Sequence, residues 1–169
     1  MREDFAGTKL DPAEARALRL EIEEFHAAYC AALDEGRIAD WPGFFTEDAV
    51  YRITGRDNAD AGLPVGLIYC EGGGMLRDRA LAIEKTAMFA PRFLLHAVSN
   101  VRVLGLSEGT VEAQATYLVL QTLVDEPTTI HQAGRYFDRF ARVAGRLLLR
   151  ERQCVYDTVL IDNSLVLPV

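Results

Sequence analysis

Residues 110–124 read TVEAQATYLVLQTLV. Valine, threonine, tyrosine and leucine dominate, proline is absent and turn formers stand at both ends, so the segment is expected to be a β-strand. It lies beyond the usual strand length. Side chains alternate across a strand, so Tyr117 and Val119 share one face and Leu118 and Leu120 the other. Both faces are apolar or weakly polar, and two coverings are needed.

Working outward, strands are expected near 94–106, 110–124, 129–143 and 146–160. They are joined by SEG (107–109), DEP (125–127) and AG (144–145). Connections this short force antiparallel neighbours, and long antiparallel strands twist and curl. The helices come earlier. Asp11 caps a helix that opens on Pro12, with Glu14 in a capping-box-like position. Leu18, Ile22, Phe25, Tyr29 and Leu33 form one stripe at steps of three and four, and Gly36 offers a left-handed stop. DWPGFF (40–45) suggests a short second helix and VYRI (50–53) a strand. GRDNADAGLP (55–64) suggests a loop, VGLIYCE (65–71) a strand and GGGMLRDRALAIEKTAM (72–88) a helix. The fold class is α+β: a curled, mostly antiparallel sheet wrapped around N-terminal helices. Residues 1–10 are expected to be a flexible arm and residues 11–169 a single domain.

Composition narrows the function. The chain has 169 residues, half of them apolar, and a net charge of −7. An acidic surface repels phosphates, so no nucleic-acid partner is expected. The apolar runs fall short of the roughly 20 residues that a membrane helix needs. Neither a membrane role nor a signal segment is expected, and the location is read as cytoplasmic. Cys30, Cys70 and Cys154 are widely spaced, as buried free thiols in a reducing compartment would be.

RFLLHAVSNVRV (92–103) raises the question of chemistry, because His96 and Asn100 interrupt a strand. His26, His96 and His131 belong to a helix and two strands. None forms a pair at helical ligand spacing, and the C-x-H and C-x-x-H pairs of a Rieske cluster are missing. The GGG at 72–74 lacks the Lys-Ser/Thr of a P-loop and reads as a strand-to-helix turn. No metal, cofactor or catalytic residue is therefore assigned to this chain. One set remains. Tyr29, Asp48, Tyr51, His96 and Tyr136 are pocket candidates at the mouth of a curled sheet, suited to proton abstraction beside a carbonyl or to dehydration. The competing account makes them polar core residues with satisfied partners.

Four segments occur in order: DWPGFFTEDAVYRI, MLRDRALAI, HAVSNVRV and RERQCVYDTVLIDNSLVLPV. Together they resemble the β (small) subunit of an aromatic-ring-hydroxylating dioxygenase of the Rieske non-haem iron type. The resemblance covers residues from about 21 to 169. DN before GLP, together with MLRDR, is most similar to the salicylate and terephthalate type. The resemblance implies the cystatin-like cone shared with nuclear transport factor 2 and scytalone dehydratase. It implies an α3β3 hexamer in which a β homotrimer meets a large (α) oxygenase subunit. That partner would carry the Rieske [2Fe–2S] cluster, the mononuclear Fe(II) and the substrate pocket, in a system degrading aromatic compounds, aromatic acids in particular. His96 is then structural. Asn100 and Arg102 tie strands or a subunit boundary, and Leu118 and Leu120 belong to an interface. The tail VLIDNSLVLPV (159–169) packs on the body or on a neighbour. The alternative is a free-standing dehydratase, isomerase or ligand-binding module on the same cone.

Overall fold

A computed structural model describes residue 8, residues 10–161 and residues 165–169. The arm expected at 1–10 therefore lies largely outside the described residues, as does the 162–164 portion of the tail. Within the arm, Thr8 bridges to Leu106.

Helix α1 (Pro12–Asp34) starts where the capping chemistry places it: the Asp11 carboxylate accepts from the Ala13 and Glu14 amides at 2.7 and 3.2 Å. It stops at Gly36, whose φ of +72° is cheap only without a Cβ. Ile22, His26, Tyr29, Cys30 and Leu33 are buried along one side of it. A 3-10 stretch, Ile38–Phe44, brings Trp41 into the interior. There follow β1 (Phe45–Gly55), α2 (Arg56–Asp60), β2 (Ile68–Glu71) and α3 (Gly72–Lys85). Four strands complete the chain: β3 (Arg92–Ser107), β4 (Thr110–Leu123), β5 (Thr129–Val143) and β6 (Arg146–Tyr156).

The sheet runs β2-β1-β6-β5-β4-β3. Every pair is antiparallel except β1 with β6. It packs α1 against β3 and α3 against β1 and stays open rather than closing into a barrel. The turns Glu108-Gly109 and Ala144-Gly145 have φ of +49°, +76°, +48° and +81°. Positive φ at both central positions matches the right-handed twist of the flanking strands.

Three expectations need correction. The 55–64 loop contains α2, whose Asp57 carboxylate lies in the first turn, where the helix dipole favours negative charge. The second strand starts at Ile68 rather than 65. The last strand ends at Tyr156 rather than 160, because the Asp157 amide turns to the Ala133 carbonyl (2.8 Å) and its carboxylate meets Arg56 at 2.6 Å. At 72–74 the glycines form the strand-to-helix turn, and the Glu47–Arg77 pair lies beside it at 2.8 Å.

Candidate functional site

The inner face of the sheet is polar at its centre. Arg152 on β6 and Asp138 on β5 face each other in register and are fully buried. The guanidinium donates through Nε to Oδ1 at 2.9 Å and through Nη2 to Oδ2 at 2.7 Å. This fork-to-fork geometry lets a buried charge persist. Arg152 lies 4.4 Å from the ring centre of Tyr29 and 4.1 Å from that of Tyr136, so aromatic faces sandwich the cation. Burial opposes its charge, but Asp138 more than compensates and holds the group protonated. Nη2 also lies 3.1 Å from His26 Nδ1. Guanidinium only donates, so Nδ1 accepts and the imidazole proton sits on Nε2. Burial first, then the Arg152 charge, push the His26 pKa well below its ordinary value.

A second group closes the cone. The 165–169 segment returns to the interior, and Val169 is completely buried. Its main-chain oxygen accepts from Tyr29 Oη at 3.1 Å and from Tyr51 Oη at 3.0 Å. Its amide donates to Tyr51 Oη at 2.9 Å. Trp41 Nε1 donates to Tyr29 Oη at 2.9 Å. On the way in, the Val166 carbonyl accepts from Arg79 Nη2 at 2.8 Å. Burial raises the pKa of Tyr29, Tyr51 and Tyr136 alike, so the phenols remain donors at neutral pH.

His96, on the inner face of β3, has its ring fully buried. Nδ1 donates to Asp34 Oδ1 at 2.6 Å, and the His96 amide donates to the same carboxylate at 3.0 Å. Its partner is thus the last residue of α1 rather than a neighbouring strand. A carboxylate at a helix C-terminus opposes the dipole, and here it serves as the strap between helix and sheet.

The five pocket candidates do not converge. Tyr29, Tyr51 and Tyr136 share the interior and His96 joins α1 to β3. Asp48 lies on the surface between Thr46 (2.7 Å) and Arg150 (3.3 Å), and the Thr46 hydroxyl chiefly lowers its pKa. Asn100 is an exposed bulge residue at φ +54°, between the Ser99 and Arg102 register positions. Asparagine tolerates that conformation better than most side chains. Arg102 is exposed on the outer face, where it lines a groove of about 460 Å³ with Arg56, Gln114, Arg135 and Phe137.

Leu118 and Leu120 are half-buried on that outer face. Register places Leu95 beside Leu120, and Ile130 on its other side. Phe93, Leu95 and Ile130 are 72, 56 and 63% exposed, an apolar patch spanning three strands.

Sequence reasoning missed Asp34, Asp138, Arg152 and Val169. Arg152 carried a signal: it is in phase with Cys154, two residues on, but out of phase with Leu147 and Leu149. Asp34 looked like part of a charged helix end, and Val169 like one more apolar tail residue. The thiols are buried as expected, and burial pushes Cys30 up to about 11 and raises Cys70 and Cys154. No group of three or more His, Cys, Asp or Glu suited to a metal occurs among the described residues. No helix among them is long and apolar enough to cross a membrane.

Open sheet, enclosed helix and filled cone define the class: residues 14–153 match the SnoaL-like domain. The chain is 32% identical over 149 residues to the small subunit of anthranilate 1,2-dioxygenase from Burkholderia cepacia, covering 88% of this chain and 92% of that one. It is 29% identical to a terephthalate 1,2-dioxygenase terminal oxygenase β subunit from Comamonas sp., covering 89% and 97%. A solved structure from Novosphingobium aromaticivorans, described as the β subunit of an aromatic-ring-hydroxylating dioxygenase, superposes with a TM-score of 0.82. That match has 37% identity and covers 91% and 97% of the two chains. The chain belongs to the small-subunit family of aromatic-ring-hydroxylating dioxygenases, subunits of an oxidoreductase.

Proposed function

We propose that this chain is the non-catalytic small subunit of a terminal oxygenase acting on an aromatic acid. Three copies form a ring around a threefold axis, and each contacts a large subunit to complete an α3β3 hexamer in the cytoplasm. The large subunit carries the Rieske [2Fe–2S] cluster and the mononuclear Fe(II), and residues 11–169 of this chain act as one assembling unit. The aromatic acid is inferred from the anthranilate and terephthalate named for the two relatives.

The observation that carries the reading is the outer face. Phe93, Leu95 and Ile130 flank Leu118 and Leu120 with no covering layer among the described residues. Complete burial of such side chains contributes about 1.5–3 kcal/mol each. A closed ring buries every copy of the patch at once, whereas an open head-to-tail contact grows filaments. The interior agrees with a scaffold role: the Tyr29 and Tyr51 hydroxyls and the Arg152 guanidinium are held by the chain itself.

The test is co-expression with a large oxygenase subunit. A stable hexamer that oxygenates an aromatic acid supports the reading. Dimers or monomers of this chain that neither copurify with a large subunit nor alter its turnover overturn it.

A further inference from the structure

Two exposed apolar surfaces lie at opposite edges of the sheet. The first is the outer-face patch of Phe93, Leu95 and Ile130, at the β3 edge. The second is formed by Leu63, Val65, Leu67 and Tyr69, at the β2 edge. This second run is held in place. The Val65 carbonyl accepts from Thr54 Oγ1 at 2.8 Å, and the Leu67 amide donates to the Ile53 carbonyl at 2.7 Å. Between them, a Cβ at Gly66 would lie 2.5 Å from the Ile53 carbonyl oxygen, so glycine is what lets the run hug β1.

The two surfaces carry opposite charge. The first leads into the β4–β5 turn, where Asp125 and Glu126 are exposed and make no ion pair among the described residues. That turn is braced: the Glu126 amide donates to the Leu123 carbonyl at 3.2 Å, and the Thr122 and Thr128 hydroxyls lie 2.9 Å apart. The second adjoins the groove of about 460 Å³, because α2 lines that groove and runs directly into residues 61–67. Arg56 and Arg135 share the Asp157 carboxylate at 2.6 and 3.8 Å. Arg102 is exposed and makes no ion pair among the described residues. Three guanidiniums against Asp60 and Asp157 leave the groove positive, on a chain whose net charge is −7. Unlike charges steer two surfaces together and fix their register, whereas like charges hold them apart. A copy that meets each of two neighbours through a different surface has the geometry of a closed ring.

We propose that the groove of Arg56, Arg102 and Arg135 is the docking site for the Asp125–Glu126 turn of a second copy of this chain, whose Phe93, Leu95 and Ile130 cover residues 63–69 beside the groove. The contact rests on the ring of the proposed function and adds which two surfaces meet in it. The apolar areas supply burial, and the turn and groove select the register.

Sedimentation of the full chain, alone and copurified with a large subunit, tests this contact, and the ring is read in whichever of the two holds it. Asp125→Asn together with Glu126→Lys reverses the turn; asparagine is chosen because position 125 has a φ of +65°, which it tolerates. Arg102→Glu reverses the guanidinium that has no ion pair. Each change is expected to weaken the ring by about tenfold or more, since like charges then face each other. All three substitutions in one chain are expected to restore it to within about threefold, because the charges are exchanged rather than lost. Circular dichroism confirms that each variant is folded. Rings left intact by either change, or broken by both and not restored by the combination, overturn the inference and leave the small-subunit reading standing. A chain without substitutions that forms neither a trimer alone nor a hexamer with a large subunit overturns both.

Discussion

The two faces of one sheet obey opposite rules. On the inner face four strands contribute side chains with assigned partners: Arg152 with Asp138, His96 with Asp34, Tyr51 with Val169. On the outer face the same strands expose Phe93, Leu95 and Ile130, together with a groove lined by Arg56, Arg102 and Arg135. The strands are identical in backbone, so the difference lies in which neighbours each face meets. The inner face meets its own helices and the 165–169 segment, which supply partners for most of its polar groups, while Tyr136 Oη and Arg152 Nη1 stay without a hydrogen bond among the described residues. Among the described residues the outer face has no such layer, and Phe93, Leu95 and Ile130 remain exposed there. Stability should therefore be concentrated inside, and association outside.

The sharpest way to break this contrast is Asp138→Ala. It strips the counter-charge from a fully buried guanidinium, and such a loss costs roughly 3–5 kcal/mol. Urea unfolding should show the midpoint falling accordingly. A cost near that of a surface substitution would mean that water or another group reaches Arg152.

His96→Ala comes next. It leaves the Asp34 carboxylate without its ring donor and should cost about 1–3 kcal/mol by the same measurement. Asp34→Ala should act in the same direction, because each removes one end of the tie between α1 and β3.

Acid tests the inner face through His26. Its folded pKa lies below the ordinary 6.5 of the unfolded chain, so unfolding takes up a proton as pH falls through that value. Stability is then complete above pH 6.5 and declines below it, by about 1.4 kcal/mol per pH unit for a single proton. The decline ends once the folded histidine is itself protonated. His26→Gln should flatten the slope in a pH series of unfolding curves.

Leu120→Asp probes the outer face and should have the smallest effect on folding, within about 0.5 kcal/mol, as surface changes usually are. Its consequence should appear in sedimentation, as loss of self-association or of copurification with a large subunit. Unfolding of the isolated chain by this substitution would erase the distinction between the faces.

How far the sequence discloses this depends on distance along the chain. Alternation in β4 is a local property, so residues 110–124 alone put Tyr117 and Val119 on one face and Leu118 and Leu120 on the other, and burial shows the first pair inward. The Asp11-Pro12 start and Gly36 stop of α1 are local too, because capping is decided within four residues. The four segments recognised in order carried the family, and that assignment holds. The site fared differently. Asp48 is expected just ahead of a strand at 50–53, but β1 runs from Phe45 to Gly55 and places it inside the strand, exposed beside Thr46 and Arg150.

Arg152 shows the limit most clearly. Counting from Leu147 and Leu149 puts it outside, and counting back from Cys154 puts it inside. A bulge decides, for β5 pairs Arg139 with Glu151 but Phe140 with Leu149, leaving Arg150 unpaired. That extra residue turns a cation into the core. By itself, then, the sequence determined which long segments become strands and where α1 begins and ends, because these follow from periodicity and capping among near neighbours. Only the tertiary structure decided that Arg152 meets Asp138, that His96 meets Asp34 and that Val169 fills the cone. Each of these contacts joins distant residues, up to 140 positions apart for Tyr29 and Val169, and depends on curvature and bulges that no local pattern encodes.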